Sequence, residues 1–402
     1  MALLGATLLV RVLTDNRSAP DSHHSGSLNL SGAIALLFIL IAAGLLLQRR
    51  RGIRPTALAA LWLCVWTAVA VDTSGASAET VREGVREASV IALAVIVYNA
   101  RGAVTVSAAT RLVQFVGFVP AVLAVYQIAT DTGMDISGNI RSNGTFAHPN
   151  SAAMFFAIAS ATSLWLYLDS GRRRLDAALT TLFAAAMLTT FSIDGLAALV
   201  AMLVALGALR PGSLQAKGGP WLLAGLVVIA FVATPLGGHR IARASATNLA
   251  EANGSSLSWR LHKWKLLLPD WESSPVIGRG LGTTITEAGA PGNQYAGEPP
   301  HNEYVRSLVE TGIVGLAILL GAIAVLIGRI VRLKSTSDTH RTGPPAEPAL
   351  ALVIVFGCLV NALADNTFLD SPTCYAAALI VIAVLSVPSA ERRSHQEPSL
   401  SV

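Results

Sequence analysis

Pro299-Pro300-His301-Asn302-Glu303-Tyr304 closes a polar stretch that opens at Gly237, and apolar chain flanks that stretch on both sides. It is the one long polar insertion in a 402-residue sequence that is 53% hydrophobic and 13% charged. A soluble domain carries about 25% charged residues, so this chain belongs in lipid. The insertion is then held at a membrane face by the helices around it, and any chemistry is expected there. The formal charge of +5 is small, and its distribution says more than its sign.

Lipid offers no partner to an exposed backbone amide, so an apolar run of about 20 residues crosses as a helix. Such runs lie at roughly 30–48, 56–72, 104–129, 150–168, 175–191, 195–210, 220–236, 304–328, 349–367 and 372–388, with a weaker one at 88–100. Met1–Leu13 reads as a short first helix or the tail of one that starts upstream. The expectation is an all-α polytopic membrane protein of about eleven or twelve transmembrane helices. Residues 1–402 form one transmembrane domain, and 237–303 is an extracytoplasmic loop within it. The three cysteines (Cys64, Cys358, Cys374) fall in or beside apolar runs. Their scatter excludes a disulfide framework and suits a core.

Basic residues near the helix ends set the orientation. Arg49, Arg50, Arg51 and Arg54 share one short connection, Arg172–Arg174 a second, and Arg210 with Lys217 a third. Arg329, Arg332, Lys334 and Arg341 occupy a fourth, and Arg392 and Arg393 the tail. If every run spans, all of these fall on one side, which is the cytoplasm. Arg111, inside 104–129, is read as reaching to that surface. The opposite face carries 131–150, the junction near Asp194, the loop 237–303 and 365–372.

The loop holds six basic and six acidic residues, and five of the basic ones precede Pro269. Leu257, Leu261, Trp264 and Leu268 keep helical spacing, with Arg260 and Lys263 on another face, and Pro269 is expected to end that helix. Two readings stand side by side. The helix lies on the outer membrane surface with its cations on lipid phosphates, or Arg260 and its neighbours hold an anionic substrate group, which the guanidinium fork suits. His301 is expected in the first turn of the helix 304–328, on one face with Tyr304, Val305 and Leu308. The partly positive helix end favours a neutral imidazole able to accept a proton. Glu310, an ionisable residue inside a membrane helix, reads as functional or as the partner of an arginine. Thr311–Gly315 supplies small residues for close helix packing. No metal-ligand spacing and no phosphate-cradling Gly-rich loop occurs. No cofactor, metal, nucleotide energy source or nucleic acid is therefore expected.

Three signatures in order resemble the O-antigen ligase and polymerase proteins of bacterial polysaccharide assembly. The first is Arg141-Ser142-Asn143-Gly144-Thr145-Phe146-Ala147-His148-Pro149-Asn150. The second is Ser258-Trp259-Arg260 with Trp264, followed by Pro275-Val276-Ile277-Gly278-Arg279-Gly280-Leu281-Gly282. The third is His301-Asn302-Glu303-Tyr304 running into Leu308-Val309-Glu310-Thr311-Gly312-Ile313-Val314-Gly315. The resemblance covers about residues 100–390. The family usually has a Ser-Arg pair at a mid-chain outer junction. This chain reads Thr190-Phe191-Ser192-Ile193-Asp194-Gly195 there, with the serine kept and the arginine absent.

The resemblance implies metal-independent, inverting glycosyl transfer at the outer face of the bacterial cytoplasmic membrane. The donor would be a polyprenyl-pyrophosphate-linked glycan and the acceptor a sugar hydroxyl on a glycan or glycolipid. Membrane lipid and other polysaccharide-assembly proteins would be the partners. His301 would take the acceptor's proton and Arg260 would meet the charge developing on the leaving group. Arg141, Arg243, Lys263 and Arg279 would bind substrate, with His148, Asn150, Asn302, Tyr304 and Glu310 lining the site. Two alternatives stand beside the enzyme. A flippase for a lipid-linked glycan would usually show broken helices and mid-membrane charge, and an inactive relative would only bind such glycans.

Overall fold

A computed structural model of the chain describes residues 2–15, 30–49, 53–74, 78–100, 103–136, 138–169, 174–209, 214–244, 256–286, 297–338 and 346–386. Among these the protein is helical, with one short hairpin. The elements are α1 Ala2–Leu13, α2 Leu30–Arg49, α3 Ile53–Ser74, α4 Ala78–Asn99, α5 Val106–Ala129, α6 Pro149–Asp169, α7 Arg174–Thr189 and α8 Ile193–Leu209. They continue as α9 Leu214–Ala233, α10 Pro235–Ala244, α11 Ser256–Ser273, α12 Thr283–Thr286, α13 Glu303–Asp338, α14 Ala346–Ala362 and α15 Ser371–Ser386. Strands β1 Met134–Ile136 and β2 Asn139–Arg141 pair antiparallel between α5 and α6. Every apolar run read from the sequence forms a helix. Four (α2, α5, α6, α13) are long and apolar enough to cross a membrane, and α9 with α10 makes a fifth as a pair bent by 91°.

The bundle is built around α6. Ala152, Ala153, Phe155, Phe156, Ala157, Ile158 and Ala159 are all buried, so this helix is enclosed on every side, as one apolar all round must be. Helices α5, α7, α8, α14 and α15 surround it. A Cβ at Gly195 would overlap Ala153. That glycine therefore lets the start of α8 close onto α6, and it fixes where Asp194 stands. Large side chains such as Leu40, Phe115, Leu222 and Ile229 are left exposed on the perimeter, the natural placement in lipid. Cys358 and Cys374 are buried, whereas Cys64, expected in the core, is exposed.

Four sequence expectations need correction here. Helix α4 begins at Ala78, ten residues before the span read at 88–100. Its first turns carry charges that depress hydropathy but are paired, among them Glu79–Arg82 and Glu83–Arg86. Arg111 does not simply reach to the surface. It binds Asp176 of α7, with Nη2–Oδ2 at 3.0 Å, and Gln114. The stretch 237–303, read as a loop carrying one helix, also holds most of α10 and the short α12. Pro269 does not end α11, which runs on to Ser273. Pro269 and Lys265 are both exposed, so the Lys265 carbonyl that loses its intrahelical donor is free to meet water.

The helix 304–328 is longer than expected, and it is broken. Inside α13, Gly312 takes φ 64° and ψ −170°. A break in membrane would strand the amides of residues 313 and 314 and the carbonyls of 309 and 310. All four find partners in the segment 275–280. Ile313 N–H donates to Pro275 O at 2.9 Å and Val314 N–H to Val276 O at 3.1 Å. Arg279 N–H donates to Val309 O at 3.0 Å and Gly280 N–H to Glu310 O at 2.7 Å. Irregular backbone at membrane depth survives only where its polar groups are satisfied in this way. The segment is pinned on its other side by α3, with Trp66 Nε1 on Ile277 O at 2.9 Å. A Cβ at Gly312 would collide with the Val276 carbonyl. The small residues of 311–315 thus serve a helix break rather than helix packing alone. A broken helix is also a feature expected of a transporter, and its presence removes one ground for preferring an enzyme.

Candidate functional site

The stretches 138–150, 190–194, 256–264, 297–303 and 363–371 converge at one end of the bundle. The hairpin delivers Arg141, which is 3% exposed. Its Nε donates to Thr190 O at 2.7 Å and its Nη2 to Asn150 Oδ1 at 2.8 Å. The following residues are strapped down as well. Gln127 Oε1 accepts from the amides of Asn143 and Gly144 at 3.1 and 2.8 Å, and Asp15 Oδ2 accepts from Ala147 N–H at 3.0 Å. This rigid strap ends in His148, whose Nδ1 accepts from Asn150 N–H at 3.1 Å at the start of α6. Burial, and after it the charge of Arg141, push the His148 imidazole down to about 4, so it is neutral near pH 7.

His301 does not lie in the first turn of α13. Asn302 caps that helix, its Oδ1 accepting from Tyr304 N–H and Val305 N–H at 3.0 Å each. His301 stands one residue earlier with φ 50°, a left-handed backbone that costs a non-glycine residue about 1 kcal/mol or more. It therefore shares no helical face with Tyr304, Val305 and Leu308. The conformation is held by Asn302, whose Nδ2 also donates to Leu363 O at 2.9 Å. It turns the imidazole onto the 363–371 loop, where Nδ1 lies 2.8 Å from Asp365 Oδ1. The carboxylate accepts, so Nδ1 carries a proton, and whenever the imidazole is neutral Nε2 is the nitrogen with the lone pair. Burial alone would raise the Asp365 carboxyl, but the hydrogen bond and charge of His301, with Arg260 behind it, hold it below the usual carboxylate range. The Trp259 and His301 rings pack in a T-shaped arrangement with centroids 5.7 Å apart, and the His148 ring is 6.4 Å from that of His301.

Helix α11 lies the other way round from the surface-bound reading. Leu257, Leu261 and Leu268 are exposed, while Arg260 and Lys263 are 8% and 0% exposed. Arg260 and Lys263 point into the protein while Leu257, Leu261 and Leu268 point outward, so these two cations do not sit on lipid phosphates. The helix is anchored by Leu267 against Val309 of α13 and by Trp264 Nε1 donating to Pro300 O at 2.7 Å. Arg260 grips Asp194 with both ends of its fork, Nη1–Oδ1 at 3.0 Å and Nη2–Oδ2 at 2.6 Å. Asp194 lies in the first turn of α8, capped by Ser192 through Gly195 N–H on its Oγ at 3.2 Å. Arg240 of α10 is close enough to Asp194 and Arg260 to feel both charges. Arg141 is pushed down to about 9 by burial and by Arg240, against Asp194 and Asp365, and it remains a cation near pH 7.

Of the residues picked from sequence, the structure gathers His301, Arg260, Arg141, His148, Asn150 and Asn302. The Tyr304 hydroxyl donates to Leu359 O at 3.2 Å and fastens α13 to α14. Lys263 is wholly buried, and burial pushes its ammonium down to about 8 despite Glu298 and Asp270 nearby. Arg279 is half-buried at the helix break. The side chain of Arg243 lies outside the described residues. Glu310 is not at this site. Its Oε2 accepts from Arg306 Nη1 at 3.2 Å and its Oε1 from Thr284 Oγ1 at 2.6 Å, which is the arginine-partner reading. Arg306 also binds Glu303, through Nε at 2.7 Å, and Glu87 at 3.4 Å.

Sequence reasoning missed Asp365, Arg240 and Arg306 as participants. Asp365 was visible only as a polar residue on the outer face. It pairs with His301 across 64 residues, which no local pattern reports. Among the described residues no group of three or more His, Cys, Asp or Glu is placed to hold a metal ion.

No curated protein sequence matches the chain. Residues 177–320, which run from α7 through the break in α13 and include Asp194, Arg260 and His301, match the family model described as O-Antigen ligase. That match assigns this region of the chain to the O-antigen ligase family.

Proposed function

We propose that this protein transfers a glycan from a polyprenyl-pyrophosphate-linked donor to a sugar hydroxyl at the extracytoplasmic membrane face, with inversion at the anomeric carbon. The observation that carries the reading is the His301–Asp365 hydrogen bond, 2.8 Å long, set beside a group of buried arginines. With Nδ1 committed to Asp365, Nε2 accepts the proton of the acceptor hydroxyl as its oxygen attacks the anomeric carbon. The bond from that carbon to the pyrophosphate oxygen breaks, and the leaving group keeps the electron pair. Asp365 steadies the imidazolium that results. Arg260, Arg141 and Arg240 stabilise the charge gathering on the pyrophosphate, and in a dry site such preorganised charge is worth more than in water.

The test is release of polyprenyl pyrophosphate from a lipid-linked glycan by the reconstituted protein, beside His301→Ala. Loss of release in the variant is expected, and the sizes of the products separate single transfer from polymerisation. Release that survives His301→Ala would discard the mechanism.

The break at Gly312 and the buried charges around Arg306 favour a second reading, a flippase for the same lipid-linked glycan. That reading expects translocation of intact donor in vesicles, with no pyrophosphate set free.

A further inference from the structure

Arg260 is the residue best placed for a donor's phosphate, yet its fork is already filled. Both terminal nitrogens are bound to Asp194, at 3.0 and 2.6 Å, and each side chain of the pair is 9% exposed. Among its other donors, Nε is buried without a hydrogen-bond partner among the described residues, and so is Arg240 Nε. A guanidinium N–H buried and unsatisfied is costly. Three arginines (Arg141, Arg240, Arg260) face two carboxylates, and one of those, Asp365, is committed to His301. Among the described residues, Asp194 is thus the one carboxylate that Arg260 binds directly and that Arg141 and Arg240 also feel. A carboxylate chelating a guanidinium has the same two-point geometry as a phosphate.

We propose that Asp194 is an internal counterion that occupies Arg260 in the resting protein and must be displaced when the donor's diphosphate arrives. The proposal rests on the reading of Arg260 as an anion-holding residue. The exchange has a direction. Asp194 is fixed by the first turn of α8, which Ser192 caps and which Gly195 seats on α6. Arg260 sits on a long side chain from α11, the element that also carries Trp259 to His301. Arg260 therefore moves and Asp194 stays. A diphosphate that draws Arg260 off Asp194 offers acceptors to the unsatisfied Nε groups as well. The anion site is closed to weak anions and opens to one with enough oxygens to satisfy several guanidinium groups at once. Any anion's affinity is lowered by the free energy of opening the pair.

The probe is inorganic pyrophosphate, added to the full-length protein in detergent and read by calorimetric titration and by the thermal unfolding midpoint. Asp194→Asn removes the competing charge and leaves Arg260 unpaired. It should lower the midpoint without ligand, enlarge the rise on adding pyrophosphate, and tighten binding by about tenfold or more. Asp194→Ser keeps a hydrogen-bonding side chain in the first turn of α8 and should behave alike. Arg260→Gln should abolish the gain in either background. Binding in Asp194→Asn and Asp194→Ser that is no tighter than in the unaltered protein would overturn the proposal. Failure of both to fold would overturn it too, in favour of a purely structural pair. None of these readouts uses glycosyl transfer. A protein that shows the exchange but transfers nothing would refute the enzyme and leave the counterion standing.

Discussion

Asn302 Nδ2 donates to the Leu363 carbonyl at 2.9 Å while Asn302 Oδ1 caps α13, so one side chain fixes both the helix that follows His301 and the loop that carries Asp365. The dyad is therefore set by backbone geometry on both sides, not by two mobile side chains finding each other. It follows that Asp365→Asn should leave the fold intact. An amide presents a donor where the carboxylate accepts, so it allows the wrong imidazole tautomer. Transfer should fall by about 10²–10⁴-fold, mostly in kcat. A variant within about threefold of normal kcat would remove Asp365 from the mechanism.

The helix break makes a separate demand. Gly312 has φ 64° and no room for a Cβ against the Val276 carbonyl. Gly312→Ala should therefore cost more than about 1–3 kcal/mol and displace the 275–280 segment. The expected readout is a lower unfolding midpoint together with faster amide exchange at residues 276–281. Unchanged exchange there would mean that the break tolerates a side chain.

How much of this was legible in the chain depends on the length scale of each cause. Hydropathy located the helices because lipid imposes its pattern locally, residue by residue. It failed at 78–87, where Glu83 and Glu87 look too polar to enter a bundle until Arg306, more than 200 positions away, is placed beside them. The same limit hid Asp365. Pattern showed that Arg260 was on a different face from Leu257 and Leu261, but it could not say which face looked inward. That choice belongs to tertiary packing, here to Leu267 on Val309 and Trp264 on Pro300. Gly312 read as a packing residue because its use depends on a segment that must first fold back to meet it.

Membrane sidedness rests on the arginine distribution, and many of those residues, such as Arg50, Arg51, Arg172 and Arg173, lie outside the described set. A cysteine at Gly292, which also lies outside it, tests the scheme directly. The background should carry Cys64→Ser, since Cys64 is exposed. Labelling by a membrane-impermeant thiol reagent in intact cells is expected. Protection in intact cells with labelling after lysis would invert the topology.

The carboxylates around Arg306 predict a steep asymmetry. Glu303 and Glu310 are 0% and 1% exposed, and Arg306 is their shared cation. Arg306→Gln leaves buried carboxylates without a counter-charge and should destabilise by about 3–5 kcal/mol. Glu310→Gln keeps a hydrogen-bond acceptor for Thr284 and should cost much less. Equal losses in thermal unfolding would show that Arg306 is not the centre of the network.

His148 gives a prediction with a definite sign. Its imidazole is pushed down to about 4 in the folded protein, against an ordinary value of about 6.5. Between those two values the unfolded chain binds a proton that the folded chain refuses. Stability therefore rises with pH across this window, and it is lost as the pH falls from about 6.5 toward 4. Below the lower value both states are protonated and the slope from this group vanishes. His148→Gln keeps an acceptor for Asn150 N–H but does not titrate, so its unfolding midpoint should change less over the same range. The two proteins should differ most near pH 4 and converge above about pH 7. Parallel curves would show that His148 is not the group that titrates.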